Sequence, residues 1–183
     1  MTISHSKAMH PADIEKALET LTILVDTREH PGEKLSDRMK QTGRPFERCK
    51  LDYGDYSAKI TVDDAAVSLT GHVAVERKMD CNELAMCFGK ERARFEREFE
   101  RAHKAGAKIY LLIENENYEK IYAGNYGSGA SFRSKFPPAS MIGSLFAWQA
   151  RYNVSVILCK EELTGKIIKD ILYYEAREYL QND

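Results

Sequence analysis

The sequence predicts an α/β domain with a central mixed β-sheet flanked by α-helices, and two observations support this class. Apolar runs of strand length, such as LTILV at 21–25 and AKIYLLIE at 107–114, are separated by longer segments with apolar residues at helical spacing. The predicted strands first form a hairpin-like group and then alternate with helices, which favours a mixed sheet in a layered domain. With 183 residues, 43% of them hydrophobic, the chain is long enough for one substantial core.

The first half of the chain contains the hairpin-like group of strands. The predicted strands are LTILVDTRE (21–29), two strands within PFERCKLDYGDYSAKITV (45–62) that join near Gly54 and Asp55, and HVAVERK (72–78). The first of them is a continuous apolar run, which suits a strand buried on both faces. A short helix is predicted for 33–43, where Gly43 ends it.

The second half alternates helices with buried strands. The predicted elements are a charged amphipathic helix (90–105), a strand (107–114), an irregular glycine-rich stretch (115–138), a helix (139–153), a strand (154–159) and a long C-terminal helix (161–180). No repeat, linker or low-complexity tract divides this pattern. We therefore expect one domain over residues 20–183, preceded by a flexible segment, 1–19, in which a short helical stretch can begin at Pro11.

Composition limits the classes of function and location. The net charge is −1, so a nucleic acid would have to be met by a local basic patch. The four cysteines form no Cys-x-x-Cys pair, which predicts free thiols and neither a zinc site nor a disulfide framework. The sequence shows no signal peptide and no apolar run of membrane-spanning length, so we expect a cytoplasmic protein without membrane association.

Three adjacent charges end the predicted strand VAVERK. Because side chains alternate along a strand, Glu76 and Lys78 project to one face and Arg77 to the other. Alone, a Glu-x-Lys pair indicates a surface ion pair worth about 0 to 1 kcal/mol. Two further carboxylates, Asp26 and Asp55, lie at the ends of other predicted strands, and three converging carboxylates would bind a hard cation such as Mg²⁺ or Mn²⁺.

Such a group suits hydrolysis of a phosphodiester. The metal would neutralise the phosphate, acidify a bound water and stabilise the charge on the leaving oxygen. A neighbouring divalent charge would disfavour the protonated form of Lys78, which could then orient or help deprotonate the attacking water.

Four motifs resemble the nuclease domain of the XPF family of structure-specific endonucleases. They are VDTRE (25–29), LDYGDYS (51–57), VAVERK (73–78) and ARFEREFERA (93–102). The family signature is Gly-Asp, a variable gap and Glu-Arg-Lys-x-x-x-Asp, followed by a Gly-Arg-Leu-x-x-Gln helix on which Arg94 and Glu98 take the arginine and glutamine positions. The resemblance covers about residues 20–180. Within the family, the chain resembles the compact, stand-alone type found in bacteria and their phages.

The resemblance implies a restriction-endonuclease-like core and a role for each motif residue. It implies that Asp55 and Glu76 ligate the metal, that Asp26 is a further acidic ligand or supports the metal site, and that Lys78 is the catalytic lysine. Arg77 matches the central arginine of the motif and is included among the predicted catalytic residues. For Arg28 and Glu29, a structural, a phosphate-contacting and a catalytic role stay open.

Basic residues outside the motif core are candidates for DNA contacts. The predicted set is Arg28, Arg94, Arg133 and Lys135. An alternative stays open for the arginines of the charged helix. They would instead form i, i+4 ion pairs with its glutamates on a solvated face.

The sequence departs from the family pattern in three places. Asn82 stands where the signature has Asp, with Asp80 and Glu83 nearby as possible substitutes. Glu98 replaces the glutamine and would repel phosphate if it faced the site. The chain also stops at Asp183, whereas many members continue into a helix-hairpin-helix DNA-binding tail.

The resemblance predicts a Mg²⁺- or Mn²⁺-dependent DNA endonuclease that cuts branched or flapped DNA during repair, recombination or replication. It also implies a homodimer formed through the two C-terminal helices, or a protein partner. Two alternatives stay open. One is a catalytically weak or inactive DNA-binding or scaffold subunit that pairs with an active partner. The other is a nuclease of the same fold that cuts linear duplexes or recombination intermediates.

Overall fold

A computed structural model describes residues 9–127 and 135–182. In this part of the chain the strands are β1 (Thr22–Asp26), β2 (Phe46–Cys49), β3 (Tyr56–Val62), β4 (Ala65–Ser68), β5 (Val73–Lys78), β6 (Lys108–Glu114) and β7 (Val154–Cys159). The helices are α1 (Pro11–Glu19), α2 (Glu33–Thr42), α3 (Cys81–Phe88), α4 (Arg92–Lys104), α5 (Tyr118–Tyr122), α6 (Pro138–Tyr152) and α7 (Thr164–Asn182).

The strands form one mixed sheet, which confirms the predicted class. Its order is β2-β1-β3-β5-β6-β7, and β4 pairs with β3 outside this path. β1 and β2 are parallel, as are β5, β6 and β7, whereas β3 runs antiparallel to β1 and β5. The antiparallel β3 therefore lies between two parallel groups.

Helices cover both faces of the sheet and enclose two hydrophobic cores. α1, α2 and α7 pack on one face, and α3, α4 and α6 pack on the other. β5 contributes to both cores by alternation, because Val73 and Val75 face the first and Ala74 the second. Continued alternation directs Arg77 toward the α2–α7 side and leaves Glu76 and Lys78 on the α3–α4 side.

The pairing of the early strands differs from the hairpin-like group predicted. β2 and β3 are not partners, because β2 returns through the α2 crossover and pairs in parallel with β1. The hairpin is instead formed by β3 and β4. Asp63 and Asp64 connect these strands with φ values of 48° and 61°, and two left-handed residues in succession are typical of a type I′ turn.

Two helices were not predicted. α3 precedes the expected charged helix, and Asp80 caps it by accepting hydrogen bonds from the N–H groups of Asn82 and Glu83. Glu83 in turn accepts from the N–H of Met79, which is a variant of the reciprocal capping pattern. The other helix, α5, lies within the stretch predicted to be irregular and is capped by Asn117.

The predicted flexible segment at 1–19 needs correction for its second part. α1 begins at Pro11 and buries Ile14, Ala17 and Leu18 in the same core as α7. Residues 11–19 therefore belong to the folded domain, because their apolar side chains cover the sheet. Residues 1–8 lie outside the described part of the chain. Among the described residues, no helix combines the length and apolar character that crossing a membrane requires.

Candidate active site

Three chain segments meet at one edge of the sheet through main-chain hydrogen bonds. The N–H of Asp26 donates to the carbonyl of Asp55 at 2.8 Å, and the N–H of Asp55 donates to the carbonyl of Val75 at 2.8 Å. The N–H of Arg77 donates to Asp55 Oδ2, also at 2.8 Å. The end of β1, the start of β3 and the end of β5 are thus fixed relative to one another around Asp55.

The turn before Asp55 requires glycine. Gly54 has φ +71°, and a Cβ at this position would lie 2.8 Å from Ala74 Cβ. Its N–H donates to Glu98 Oε1 at 3.0 Å, and its carbonyl accepts from Arg28 Nη2 at 3.4 Å. Glu98, which the sequence identified only as a departure from the family pattern, therefore holds the Gly54–Asp55 turn from α4.

We call Asp55 and Glu76 the carboxylate pair. The environment of these two residues disfavours their carrying negative charges at the same time. Burial raises the pKa of Asp55 well above its usual range, and the neighbouring Glu76 charge raises it further. Burial also raises the pKa of Glu76, partly offset by the Lys78 ammonium and reinforced by Glu98. A bound cation would relieve this excess of negative charge.

Lys78 is held against Glu76. Its Nζ lies 2.6 Å from Glu76 Oε1, 3.7 Å from Glu83 Oε1 and 5.2 Å from the centre of the Phe95 ring. Burial acts to lower the pKa of Lys78, but the charges of Glu76 and Asp55 outweigh burial, so the pKa lies above its usual value. The expectation of a disfavoured ammonium depended on a bound dication, and the groups of the protein act in the opposite direction.

Asp26 is completely buried and holds two loops. Its Oδ1 accepts from the N–H and Nε of Arg28, both at 2.7 Å, and its Oδ2 accepts from the N–H of Leu51 at 2.6 Å. Burial acts to raise the pKa of Asp26, but these hydrogen bonds lower it overall. Within residues 9–127 and 135–182, no three His, Cys, Asp or Glu side chains are placed to hold a metal. The expected set of three converging carboxylates is therefore not assembled there.

The Arg77 side chain lies on the opposite face from Glu76 and Lys78. Together with Glu29, Arg38 and Glu114 it forms what we call the arginine–glutamate network. Arg77 Nη1 donates to Glu114 Oε2 at 2.9 Å, and Arg38 lies 3.3 Å from Glu29 and donates to Tyr56. Among the described residues, Arg77 makes one hydrogen bond to the carboxylate pair, from its main-chain N–H to Asp55 Oδ2.

The predicted DNA-contacting residues differ in their surroundings. The Arg28 side chain is 55% exposed, and its Nη2 lies 3.9 Å from Glu98. Arg94 is 75% exposed and precedes Glu98 by one helical turn, so it lies on the same side of α4. Lys135 is exposed, and Arg133 lies outside the described residues. Of the two substitutes considered for the missing Asp, Asp80 caps α3 and Glu83 lies near Lys78.

Comparisons with known proteins agree with this architecture. A family model described as "ERCC4 domain" matches residues 25–171. The solved structure of XPF from Aeropyrum pernix is similar, with 16% identity and a TM-score of 0.59 over 85% of this chain and 65% of that chain. The same protein in complex with DNA matches with 16% identity, a TM-score of 0.59 and coverage of 86% and 66%. This chain thus spans slightly less than two thirds of those structures, and no curated protein matches it.

Proposed function

The chain belongs to the ERCC4 domain family, whose members are DNA endonuclease domains, and we propose that it hydrolyses phosphodiester bonds in DNA with a divalent metal ion. The observation that carries this proposal is the junction of Asp55, Glu76 and Lys78 at one turn. Glu76 is buried and lies 2.6 Å from the Lys78 ammonium, and the charges of both residues act on the pKa of the neighbouring Asp55 carboxylate. The fold shared with XPF supports the proposal at the level of architecture.

The donor set fits Mg²⁺ or Mn²⁺. Asp55 Oδ2 accepts from the Arg77 N–H and Glu76 Oε1 from Lys78, while the second oxygen of each carboxylate accepts no hydrogen bond from the described residues. Mg²⁺ binds proteins through one or two carboxylates and keeps several waters, so this pair suffices. A bound ion would neutralise the phosphate and acidify a water molecule.

The other residues of the site would orient or contact the reacting groups without binding the metal ion. Lys78, held as an ammonium, would orient the attacking water and stabilise charge on the scissile phosphate. Asp26 would support the site by fixing Arg28, whose exposed guanidinium would contact a flanking phosphate together with Arg94. Arg77 would act as a positioning residue, because its main chain aims the Asp55 carboxylate.

The proposed substrate is branched or flapped DNA, cut during repair, recombination or replication in the cytoplasm of a bacterial or phage-infected cell. The resemblance to structure-specific nucleases supports this choice, and the related XPF was solved with DNA. A homodimer through the C-terminal helices, or a protein partner, is part of the proposal. Exposed aromatic side chains on these helices, Phe146 of α6 and Tyr174 of α7, support it.

A second candidate is a catalytically weak scaffold subunit. It is favoured by one observation, which is that Asp26 is engaged by Arg28 and Leu51 and joins no metal-binding triplet among the described residues. Such a protein would bind DNA and need an active partner for cleavage.

Cleavage assays distinguish the two candidates. Labelled flap, fork, four-way-junction and linear duplexes are incubated with Mg²⁺ or Mn²⁺ and with wild type, Asp55→Asn or Glu76→Gln. The matched control is Asp37→Asn, because Asp37 is an exposed carboxylate on α2, across the sheet from the site. Cleavage by wild type and control but by neither site variant supports the enzyme. Binding without cleavage by all four proteins supports the scaffold.

A further inference from the structure

Two exposed arginines beside the candidate site are held by main-chain carbonyls. Arg48 Nη2 donates to the carbonyls of Thr27 at 2.9 Å and Glu29 at 2.6 Å. Arg101 Nη2 donates to the carbonyl of Asp52 at 2.9 Å. Neither guanidinium makes an ion pair with a carboxylate of the described residues. Arg94, by comparison, lies 3.9 Å from Glu91.

Both arginines lie close to the turn that contains Asp55. Arg48 is in the last part of β2, and its neighbour Cys49 is the register partner of Asp26. Arg101 is bound to Asp52, three residues before Asp55, and follows Glu98 by three positions on α4. Because positions three apart share one side of a helix, Arg101 lies on the side of α4 that contacts the Gly54 turn.

The carbonyl contacts fix these side chains without neutralising them. A carboxylate partner would cancel most of the guanidinium charge, whereas a carbonyl fixes the geometry and leaves the net charge available. A fixed side chain also loses less conformational freedom when it binds a ligand. A planar guanidinium matches the oxygens of a phosphate, which makes arginine well suited to contacts with a DNA backbone.

Neighbouring charges leave this surface positive. Glu47, the other charged side chain of β2, is paired with Lys59 at 2.6 Å. Lys50 adds an exposed positive charge after β2, and the exposed carboxylate of Asp52 opposes it. Arg48 and Arg101 therefore remain as cations that the described residues do not neutralise.

We propose that Arg48 and Arg101 bind phosphate groups of duplex DNA beside the cleavage site. This inference rests on the proposed function and extends it, because neither residue belongs to the nuclease motifs. Arg48 approaches the segment after β1 from the β2 edge of the sheet, and Arg101 approaches the loop before Asp55 from α4, so the two residues would contact the duplex at separate points. The contacts are with the backbone and are therefore independent of base sequence.

Binding measurements at several salt concentrations test the proposal. Fluorescence anisotropy of a labelled duplex in EDTA, where hydrolysis does not occur, is recorded for wild type, Arg48→Gln, Arg101→Gln and the double variant. Each loss of a phosphate contact reduces the slope of log K against log salt by about 1, and the double variant by about 2. We expect each single variant to bind roughly 3- to 10-fold more weakly at about 0.1 M salt, from the same counterion effect.

Arg44→Gln is the matched control. Arg44 is likewise held by carbonyls, those of Leu18 at 3.3 Å and Glu19 at 3.1 Å, but it lies at the opposite end of β2. Its loss should change neither affinity nor slope. Arg48→Lys and Arg101→Lys keep the charge and should keep the slope, which separates phosphate binding from support of the loops. Thermal unfolding of every variant monitors the fold.

The outcomes separate this inference from the proposed function. If wild type binds DNA and Arg48→Gln and Arg101→Gln match it in slope, the inference is overturned while the nuclease proposal stands. The inference is also overturned if a folded Arg48→Lys or Arg101→Lys variant shows the same reduction in the slope of log K against log salt as the corresponding Gln variant. If wild type binds no duplex at any salt concentration, the inference is overturned, and the cleavage assays with Mg²⁺ or Mn²⁺ decide the nuclease proposal separately.

Discussion

Two buried clusters of charge lie on opposite faces of β5, and they differ in balance. In the arginine–glutamate network, two guanidiniums meet two carboxylates, with closest distances of 2.9 and 3.3 Å. On the other face, the Lys78 ammonium lies 2.6 Å from Glu76, and the ion pairs of the described residues include none with Asp55. A balanced cluster satisfies its own groups, whereas an unbalanced one is stabilised by an added cation. We interpret the first face as structural and the second as the face on which the proposed metal ion would bind.

Breaking the balanced cluster should have the largest effect on stability. Arg77→Met leaves Glu114 and Glu29 buried with one cation fewer, and removal of one partner of a buried pair costs about 3–5 kcal/mol. Urea unfolding measures the change. The matched control is Arg77→Met combined with Glu114→Gln, which should cost less than the single substitution. A double variant less stable than the single one would contradict the balanced-cluster interpretation.

Removing the cation of the unbalanced cluster should affect catalysis more than folding. Lys78→Met should lower the cleavage rate by about 100- to 1000-fold, as for loss of one stabilising group in a transition state. Its unfolding free energy should fall by less than that of Arg77→Met, because the raised pKa values of Asp55 and Glu76 favour uptake of a proton. Lys166→Met, at an exposed lysine of α7, is the control. Equal loss of stability in Lys78→Met and Arg77→Met would remove the distinction between the faces.

Substitution of Glu98 tests how the Gly54–Asp55 turn is held. Glu98→Ala leaves the buried Gly54 N–H without its acceptor, which costs about 1–3 kcal/mol. Glu98→Gln keeps an acceptor oxygen and should retain most of the stability and the cleavage rate. Chemical denaturation and initial cleavage rates measure both. Identical behaviour of the Ala and Gln variants would show that the hydrogen bond to Gly54 does not hold the turn.

The smallest effect is expected at a third cluster, remote from both. Glu175 of α7 lies 3.3 Å from His72 Nε2 and accepts hydrogen bonds from Lys108 and Tyr110, and these neighbours, His72 first, lower its pKa to about 2. A lowered carboxylate pKa contributes stability above the unfolded value of 4.5, and this contribution is lost as pH falls from there through about 2. Glu175→Gln should therefore reduce stability at pH 7 and narrow its difference from wild type at pH 3. Urea titrations at both pH values, with the exposed Glu119→Gln as control, test this; a constant difference would contradict it.

The fold class could be predicted because its signals are local. The apolar runs at β1, β6 and β7 and the amphipathic helices follow from periodicity. Pairing could not be predicted, because whether β2 joins β1 or β3 depends on contacts far apart in the chain. The β3–β4 hairpin had a usable signal in Asp63-Asp64, since both residues adopt left-handed conformations in its turn.

The residue types of the candidate site could be predicted, but not the partner of each side chain. Alternation along β5 separates Arg77 from Glu76 and Lys78, as the sequence indicated. The engagement of Asp26 by Leu51 could not be read from the sequence, because a main-chain N–H has no sequence signature. Glu98 shows the same limit, since its partner is the N–H of Gly54, 44 positions away.

Calorimetric titration of the metal-free protein with Mn²⁺ tests the central claim most directly. The account predicts saturable binding of Mn²⁺ to wild type, loss of that binding in Asp55→Asn and Glu76→Gln, and full retention in Glu114→Gln, whose carboxylate belongs to the balanced face. Mn²⁺ binding that is absent from folded wild type, or unchanged in Asp55→Asn, would contradict the claim that the carboxylate pair is a metal site.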